Sequence, residues 1–561
     1  NCLDYDKDVV FLRDEFFCKE LIHAFDLETT FLQNFNPDVI NNDMMSRGGT
    51  PFDRAYMNVS VYIQGNDPTP LGVICLMDVS NDTPLRYESD EEISNRIWKM
   101  VNDITKFQKV NPKTVKAMVN FTGKTYREMI KDEHMVIHQL IDEMDEPVKF
   151  PITVIRVEGE CDFYRAFAKM QYNICPHVMI GHNSNGFDMP FIMRRLEYLG
   201  AEMMEEFYQI ATGKRMSYGE MFKYKVIRSE NITIAQSENS DDFIYIKFDG
   251  TLFWDSMTIF RRDFPGKQSS LNYMLDTLEI PSKVGLSYKR ISEIVQLAIR
   301  NHEIENQISK LDSNSIDFQD CKEQLENKKR DLFQNETELE KLCTDILEYC
   351  FYDSWAVLLS IVKMQKLVSY RLDGMIYNCE YAQPFRGGKT SMLNCLIAKN
   401  YNKSCYDKPV SYGIKEKKEK FQGANVLDPQ TGYYMDPVYT IDFSGLYPSI
   451  MREYNMGPDT LRYEKPNEKH YTIPLVDNNT GVEQEVYFIH EEVQESILRN
   501  ILTDLIKKRK ESKKERDKYA GVDDIMYGIL EQKQLAYKSS ANALYGGLGS
   551  EYLGITTPMI S

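Results

Sequence analysis

The 561-residue chain has no apolar run near the ~20 residues that a membrane-crossing helix needs, and no stretch reads as a secretory leader. Its 11 cysteines form no C-x-x-C pair and no framework spacing, which argues against a disulfide scaffold and a zinc site and leaves reduced thiols. Histidine is scarce, at 8 residues. The pair His134 and His138, four apart on an expected helix, has no third ligand nearby, so a surface or packing role is expected. No internal repeat or low-complexity tract occurs. Positive charge is in deficit: a net charge of −18 argues against a protein that coats nucleic acid over its whole surface. A phosphate-binding P-loop is missing too. RGGKT at 386–390 resembles its end, but the glycine required five places before Gly388 is Gln383. A soluble intracellular protein with no membrane partner is the expectation that survives.

What is there is chain enough for about three or four domains. It opens at Asn1 and stops at PMIS, which reads as an excerpt of a longer protein. Apolar alternation or runs predict strands over 20–30 and within 59–79, and a helical, acidic stretch from about 86 to 145. ITVIRV (152–157) reads as a strand, DFYRAFAKMQYNIC as a helix, HVMIGHN as a strand entering a loop, and FIMRRLEYLG as a helix ending at Gly200. FIYIKFDGTLFWD predicts a hairpin turning at Asp249-Gly250. Strands alternating with helices indicate an α/β fold. Residues 290–348 are helical and highly charged. Phe318, Leu325, Leu332, Leu339 and Ile346 recur every seven residues, but the second core position is poor, so a helical arm or hairpin packed on the body is expected rather than a coiled coil. Residues 402–420 read as a lysine-rich loop. Residues 499–518 carry nine Lys/Arg against four Asp/Glu, a basic helix in an acidic protein.

Three short pieces share one chemistry. FDLET sets Asp26 and Glu28 two apart in a strand, so both point to one face. GHNSNGFDMPFI supplies Asp188 at a helix start, and YCFYD sets Tyr349 and Asp353 four apart on one helix face. Singly, each is a common cap or surface pattern. Together the four carboxylates could hold two divalent cations about 3.5–4 Å apart for phosphodiester hydrolysis, with Tyr349 orienting water. A second question is posed by YTIDFSGLYPSIM (439–451), where Asp442 closes an apolar, strand-like run. A carboxylate there is costly unless a cation or hydrogen bonds meet it.

In order along the chain, FDLET, N-x3-FD and Y-x3-D resemble the three exonuclease motifs of family B DNA polymerases. The resemblance covers roughly residues 20–365 and implies an RNase H-like fold, metal binding by Asp26, Glu28, Asp188 and Asp353, and strand contacts from Asn183 and Phe187. By analogy, SSLNYMLDTLEI (269–280) is the segment after the hairpin and Asp255 a minor member of the site. FQGANVLDPQTGYYMDPVYTIDFSGLYPSIM (421–451) resembles the element leading into polymerase motif A of the same family. It implies that Asp442 binds catalytic metal, that the amides of Ser444, Gly445 and Leu446 receive the triphosphate, and that Tyr447 excludes a 2′-hydroxyl. Gly445 stands where serine is usual, and Phe421 where tyrosine is usual.

LIKKRKESKK resembles the first fingers helix, with Arg509 and Lys513 facing the triphosphate, and QLAYKSSANALYGGLG (534–549) resembles motif B. Lys538, Asn542 and Tyr545 recur at i, i+4 and i+7 on one helix face. The resemblance gives Lys538 the leaving phosphate and gives Asn542 and Tyr545 the base-pair pocket, with Gly546 allowing close approach. Ala543 replaces the usual serine.

The expected organisation is an α/β multidomain chain. Residues 1–19 are a remnant of an N-terminal domain and 20–365 an RNase H-like 3′→5′ exonuclease domain with a helical insertion at about 290–345. Residues 366–470 are the N-terminal palm with motif A, 471–545 the fingers with motif B, and 546–561 a truncated return to the palm. The second palm aspartate belongs to a motif C, Tyr-x-Asp-Thr-Asp, that does not occur in this sequence. The implied cofactors are two Mg²⁺ per active site, or Mn²⁺. The implied partners are primer–template DNA, deoxynucleoside triphosphates and a processivity factor, at the intracellular site of DNA replication. The short gap from Asp442 to Lys538 favours a nucleic-acid primer over a protein primer. The insertion and substitutions point to a viral source. Two other classes stay open: a nuclease or polymerase-like protein whose palm only binds DNA, and a helical interaction protein built on the 290–348 arm.

Overall fold

LIHAFDLETTF forms the strand around which the first half of the protein is built, because its two faces carry different chemistry. Ile22, Ala24, Asp26 and Glu28 point one way, and His23, Phe25 and Leu27 the other. The computed structural model describes residues 20–31, 53–79, 87–107, 116–117, 137–138, 149–224, 226–233, 240–248, 250–281, 286, 288–311, 318–332, 336–386, 389–403, 428–439, 445–476, 483–522 and 524–548. They fall into two units, Asn1–Leu367 and Val368–Ser561.

In the first unit, β1 (Leu21–Phe31), β2 (Asp53–Gln64) and β3 (Gly72–Asp78) form an antiparallel meander. Next come α1 (Asp90–Phe107), the two-residue pair β4 (Lys116–Ala117) and β5 (Ile137–His138), and β6 (Ile152–Val157), which pairs parallel to β3. The chain continues through α2 (Glu160–Ile174), β7 (Val178–Gly181), α3 (Asp188–Leu199), α4 (Ala201–Thr212), α5 (Tyr218–Lys223), β8 (Ile227–Thr233), β9 (Ser240–Ile246) and β10 (Leu252–Asp255). Strands β7 and β10 lie parallel beside β1, giving one six-stranded sheet in the order β10-β7-β1-β2-β3-β6. Five helices close the unit: α6 (Ser256–Asp263), α7 (Leu271–Thr277), α8 (Tyr288–Ser309), α9 (Phe318–Leu332) and the 28-residue α10 (Glu336–Lys363).

Helices cover both sheet faces, the mixed α/β arrangement expected of alternating strands and helices. On the Phe25 face, α2 buries Phe163, Tyr164, Phe167, Met170 and Ile174 along one stripe. Phe167 meets Phe25 at 6.1 Å and Phe207 of α4 at 6.5 Å between ring centroids. Each such ring contributes about 1.5–3 kcal/mol by leaving water. On the Asp26 face lies α10, pinned to the sheet by Ser354 Oγ donating to the Val59 carbonyl and Trp355 Nε1 donating to that of Pro68, both at 2.8 Å. Arg96 of α1 ties α10 down further through Asp345 and Glu348.

Several sequence expectations change. β9 does not form a hairpin with β10: it pairs antiparallel with β8, while LFWD joins the main sheet against β7. The apolar LFWD has a fully apolar neighbour in VMIG, and periodicity alone cannot name a strand's partner. Of the helical stretch expected over 86–145, 90–107 is a helix, 116–117 and 137–138 are strands, and most of the rest lies outside the described residues. His138 sits in β5 rather than on a helix, and His134 lies outside the described residues. Over 290–348 the hairpin alternative is the one seen, with Lys329 of α9 on Glu305 of α8, and the seven-residue repeat is split where α9 ends at Leu332 and α10 begins at Glu336. The lysine-rich loop falls largely outside the described residues, as does the strand expected at 439–442, where Tyr439 is exposed outside any strand.

In the second unit, α11 (Lys366–Tyr377), α12 (Gln383–Arg386), α13 (Lys389–Lys403), α14 (Leu446–Glu453) and a small sheet of β11 (Leu461–Arg462), β12 (His470–Val476) and β13 (Glu483–Ile489) precede two long helices, α15 (Ile497–Arg516) and α16 (Asp524–Leu548). Leu393, Ile397, Met451, Phe488, Leu498, Leu502, Leu544 and Leu548 share one core. RGGKT opens α13, where Lys389 hydrogen-bonds Ser539 of α16.

Two buried charges set the stability of the first unit. Arg195 of α3 donates to both oxygens of Glu160 on α2 at 2.6 and 2.7 Å, with both side chains buried. Glu160→Gln or Arg195→Met should each cost about 3–5 kcal/mol by stranding the other charge, while a double apolar replacement costs much less; denaturant titration of the three variants checks this. His23 is fully buried and stacks on Tyr62 at 4.6 Å. Burial lowers its pKa from 6.5 to about 3, the Gln171 side chain offsetting only part. Between those values the unfolded chain binds a proton that the folded one refuses, so stability present above pH 6.5 is lost as pH falls toward 3. From pH 7 to 5 the loss through His23 is about 2 kcal/mol. His23→Phe should show a correspondingly shallower loss in paired denaturation curves.

Candidate functional site

The acidic face of β1 is set by its partner strand. Asn58 of β2 is fully buried and donates Nδ2 to the Asp26 carbonyl at 2.9 Å, and Ser60 Oγ donates to Asn58 Oδ1 at 2.8 Å. The β1–β2 register then shifts between Glu28 and Thr29, a bulge of the kind that re-aims side chains beside functional sites. Helix α10 crosses this face and brings Tyr349, Cys350 and Asp353 to it, on adjacent positions of a helical turn. The Cys350 thiol donates to Glu28 Oε1 at 3.3 Å. Ligand atoms of Asp26, Glu28 and Cys350 all lie within 4.8 Å of one another, with Asp26 half-buried and the other two buried.

Asp188 and Asp353 stand outside that tight group but act on it. Asp188 begins α3 and is buried, and the Leu27 amide hydrogen-bonds its carboxylate. Burial holds its pKa well above the usual carboxylate range, with the charges of Asp255 and Glu28 adding and backbone amides opposing. Tyr349 is raised as well, first by burial and then by Asp353, Glu28 and Asp26. Cys350 is raised by burial and by the same three acids. Four carboxylates from β1, α3 and α10 thus bear on one locality. Oxygen-rich donors crowded with like charge fit a divalent cation.

Asp255, expected as a minor member of the site, lies close enough for its charge to raise the pKa of Asp188. Its oxygens accept from the amides of Asn183, Asn185, Met257 and Thr258 at 2.9–3.3 Å, so it caps α6 and shapes the loop before α3. Asn183 takes φ 60°, and a Cβ at Gly186 would meet its Oδ1 at 2.6 Å, which explains the glycine. Phe187 is half-buried and stacks with Phe191 at 6.0 Å. His182 went unnoticed in the sequence. Its ring nitrogens meet Ser256 Oγ at 3.0 Å and the Ser269 carbonyl at 2.9 Å, tying this loop to the 269–280 segment. Cys350 was missed too, because a cysteine inside an apolar helical run reads as core.

In the second unit, Asp442 and Ser444 lie outside the described residues. Gly445 does not: it precedes α14 with φ 72° and ψ 62°, the left-handed region that disfavours a side chain by about 1 kcal/mol, which accounts for glycine in place of serine. Leu446 and Tyr447 follow, both exposed. The Tyr447 ring lies on that of Tyr545 from α16, with centroids 4.1 Å apart and planes at 5°. Lys538, Asn542 and Gly546 are exposed on the same helix, and nothing lies within 4 Å of a Cβ built on Gly546. Arg509 Nε donates to Gln534 Oε1 at 3.4 Å, so this cation already lies against α16, and Lys513 is half-buried one turn on. Arg516 locks the far end of the pair through Glu531 at 2.5 Å and packs over Tyr527.

The family profile "DNA polymerase family B, exonuclease domain" matches residues 106–278, which include Asn183, Phe187 and Asp188, and "DNA polymerase family B" matches residues 385–555. The DNA polymerase delta catalytic subunit of Drosophila melanogaster is 26% identical over 396 residues, covering 70% of this chain and 31% of that protein. The DNA polymerase catalytic subunit of Elephantid herpesvirus 1 is 25% identical over 378 residues, covering 67% of this chain and 30% of that protein. The structure of the family B DNA polymerase from Pyrobaculum calidifontis aligns with TM-score 0.49 and 16% identity over 96% of this chain and 48% of that one. The chain spans about a third of the length of the curated relatives it matches. The exonuclease profile falls on the unit that gathers the carboxylates and the polymerase profile on the unit with the paired long helices, and on both counts the chain belongs to DNA polymerase family B.

Proposed function

We propose that this chain carries the 3′→5′ proofreading exonuclease and the motif A to motif B portion of a DNA-directed DNA polymerase that extends a primer with deoxynucleoside triphosphates. The observation that carries the reading is the convergence of Asp26 and Glu28 from β1 with Asp188 from α3 and Tyr349 and Asp353 from α10. The sheet order, with antiparallel β1-β2-β3 and parallel β7 and β10 beside β1, supports an RNase H-like exonuclease domain over 20–365. The insertion at about 290–345, a palm over 366–470, fingers over 471–545 and a return to the palm at 546–561 complete the assignment, after an N-terminal remnant at 1–19.

In the exonuclease site, Asp26, Glu28, Asp188 and Asp353 hold two Mg²⁺, or Mn²⁺, which supply electrostatic stabilisation to phosphodiester hydrolysis. Tyr349 keeps its phenolic proton at neutral pH, because burial and the neighbouring acids resist its loss. That proton can be donated in a hydrogen bond that orients the attacking water. Asn183 and Phe187 flank Asp188 and hold the strand end, the ring by stacking on a base. Asp255 and His182 keep that loop in place.

In the polymerase portion, Asp442 binds catalytic metal, and the amides of Ser444, Gly445 and Leu446 receive the triphosphate. Arg509, Lys513 and Lys538 neutralise its charge, and Asn542, Tyr545 and Gly546 line the base-pair pocket. The Tyr447 ring, braced flat against Tyr545, excludes a 2′-hydroxyl. Primer–template DNA and a processivity factor are the partners, at the intracellular site of replication. The herpesvirus relative and the "DNA polymerase" of Pyramimonas orientalis virus, 23% identical over 484 residues, support a viral setting.

Asp26→Ala with Glu28→Ala should lower metal-dependent 3′→5′ digestion of single-stranded DNA about 10²-fold or more, with the melting curve retained; undiminished digestion by the purified variant defeats the assignment. In the complete polymerase, alanine at Arg509, Lys513 or Lys538 should cost about ten- to a hundredfold each in nucleotide use, as charge-assisted bonds do, and leave DNA affinity nearly unchanged. A solvated basic helix holding the DNA backbone predicts the reverse, weaker and more salt-sensitive DNA binding, so both constants are measured.

A further inference from the structure

The proposed hydrolysis gives Cys350 nothing to do, yet its thiol is fully buried and directed at Glu28 Oε1, 3.3 Å away. The placement follows from two periodicities. Asp26 and Glu28 share a strand face, and Cys350 lies three residues before Asp353 on the helix that covers it. Zinc binds sulfur at about 2.3 Å and carboxylate oxygen at about 2.0–2.2 Å, so two donors of one tetrahedral ion stand about 3.4–3.6 Å apart. The Cys350 sulfur stands 3.3 Å from Glu28 Oε1, near that spacing, and Asp26 offers an oxygen within 4.8 Å of both. Mg²⁺ takes oxygen ligands and has no use for sulfur. A thiolate beside two carboxylates suits a softer ion.

We propose that Asp26, Glu28 and Cys350 form a site for a thiophilic divalent cation of the Zn²⁺ class, which competes for the two carboxylates with the hard ions of the exonuclease. The proposal rests on reading Asp26 and Glu28 as metal ligands. Binding forms a metal–sulfur bond and releases the thiol proton, because a coordinating thiol is deprotonated outright. The proton is released to buffer as the ion binds, so that Glu28 stays a carboxylate ligand. The half-buried side chain of Asp26 leaves the ion an approach from solvent.

Cd²⁺ is the probe, because its bond to a thiolate gives a near-ultraviolet charge-transfer absorption that an oxygen ligand does not. The 561-residue chain is titrated with Cd²⁺, and separately with Mn²⁺ by calorimetry, beside Cys350→Ser, Cys350→Ala and Asp26→Asn. At the first equivalent, before the other ten of the 11 cysteines are titrated, the chain should show a Cd²⁺–thiolate band that is absent in both Cys350 variants and in Asp26→Asn. Cd²⁺ affinity should fall at least about tenfold in the Cys350 variants, the scale lost when even an outer partner of a metal site is removed. Their Mn²⁺ affinity should move less than about threefold, a split that loss of packing would not produce. The alanine variant adds no polar atom to the buried site and serves if the serine variant fails to fold. A band that survives in Cys350→Ala, or equal losses for Mn²⁺ and Cd²⁺, overturns the proposal while the carboxylate reading stands. A chain that binds neither ion overturns both.

Discussion

One helix lying on one strand at a fixed register is the constraint from which the first half of this protein follows. The Ser354 hydroxyl, the Trp355 indole and the Cys350 thiol each donate across the contact between α10 and the sheet. All three donors are buried, so each bond forgone would leave a polar group without its compensation at about 1–3 kcal/mol. A slide of α10 by one turn, about 5.4 Å, would break all three and carry Tyr349 and Asp353 away from Asp26 and Glu28. The carboxylate cluster and the core are therefore one structure, and the fold cannot keep the first while losing the second.

The same contact concentrates like charge, and the surroundings are arranged to bear it. Burial raises the pKa of Asp188, which sits where a helix begins and where backbone amides oppose the shift. Asp255 shows the other solution: four amides meet its two oxygens, so its charge is spent on shaping the loop that presents Asp188. Two buried aspartates only a short distance apart in the fold thus have opposite duties. One is satisfied by its own backbone, and the other is left facing a cluster that a cation would stabilise.

Much of this was legible in the sequence. The strand period alone puts Asp26 and Glu28 on one face, and the helix period puts Tyr349 and Asp353 on another. ITVIRV is a strand over the residues expected, and α3 ends against Gly200 as its sequence suggests. What failed has a common cause: pairing partners and buried polar duties depend on residues far away in the chain. LFWD could not announce that its neighbour is VMIG rather than FIYI. That Asp255 caps a helix and holds the loop before α3 could not be read locally, because two of the amides it meets belong to Asn183 and Asn185. Nothing local distinguishes Cys350 from a packing cysteine, since its meaning comes from Glu28, 322 residues away. Asp442, the residue that first raised the question of a cation in the second unit, lies among residues whose placement is not described.

The two helices between α7 and α10 divide their labour unequally. Helix α8 buries Ile291, Ile294 and Ala298 and belongs to the core, whereas α9 contains no buried residue and rests on α8 with contacts such as Lys329 to Glu305 at 2.8 Å. A surface ion pair of that kind contributes roughly 0.2–1 kcal/mol. Helix α9 is therefore a detachable module. It can be shortened, relabelled or fused to a reporter at little thermodynamic expense, which makes it the natural handle for attaching a fluorophore or an affinity tag without disturbing the carboxylates beneath α10.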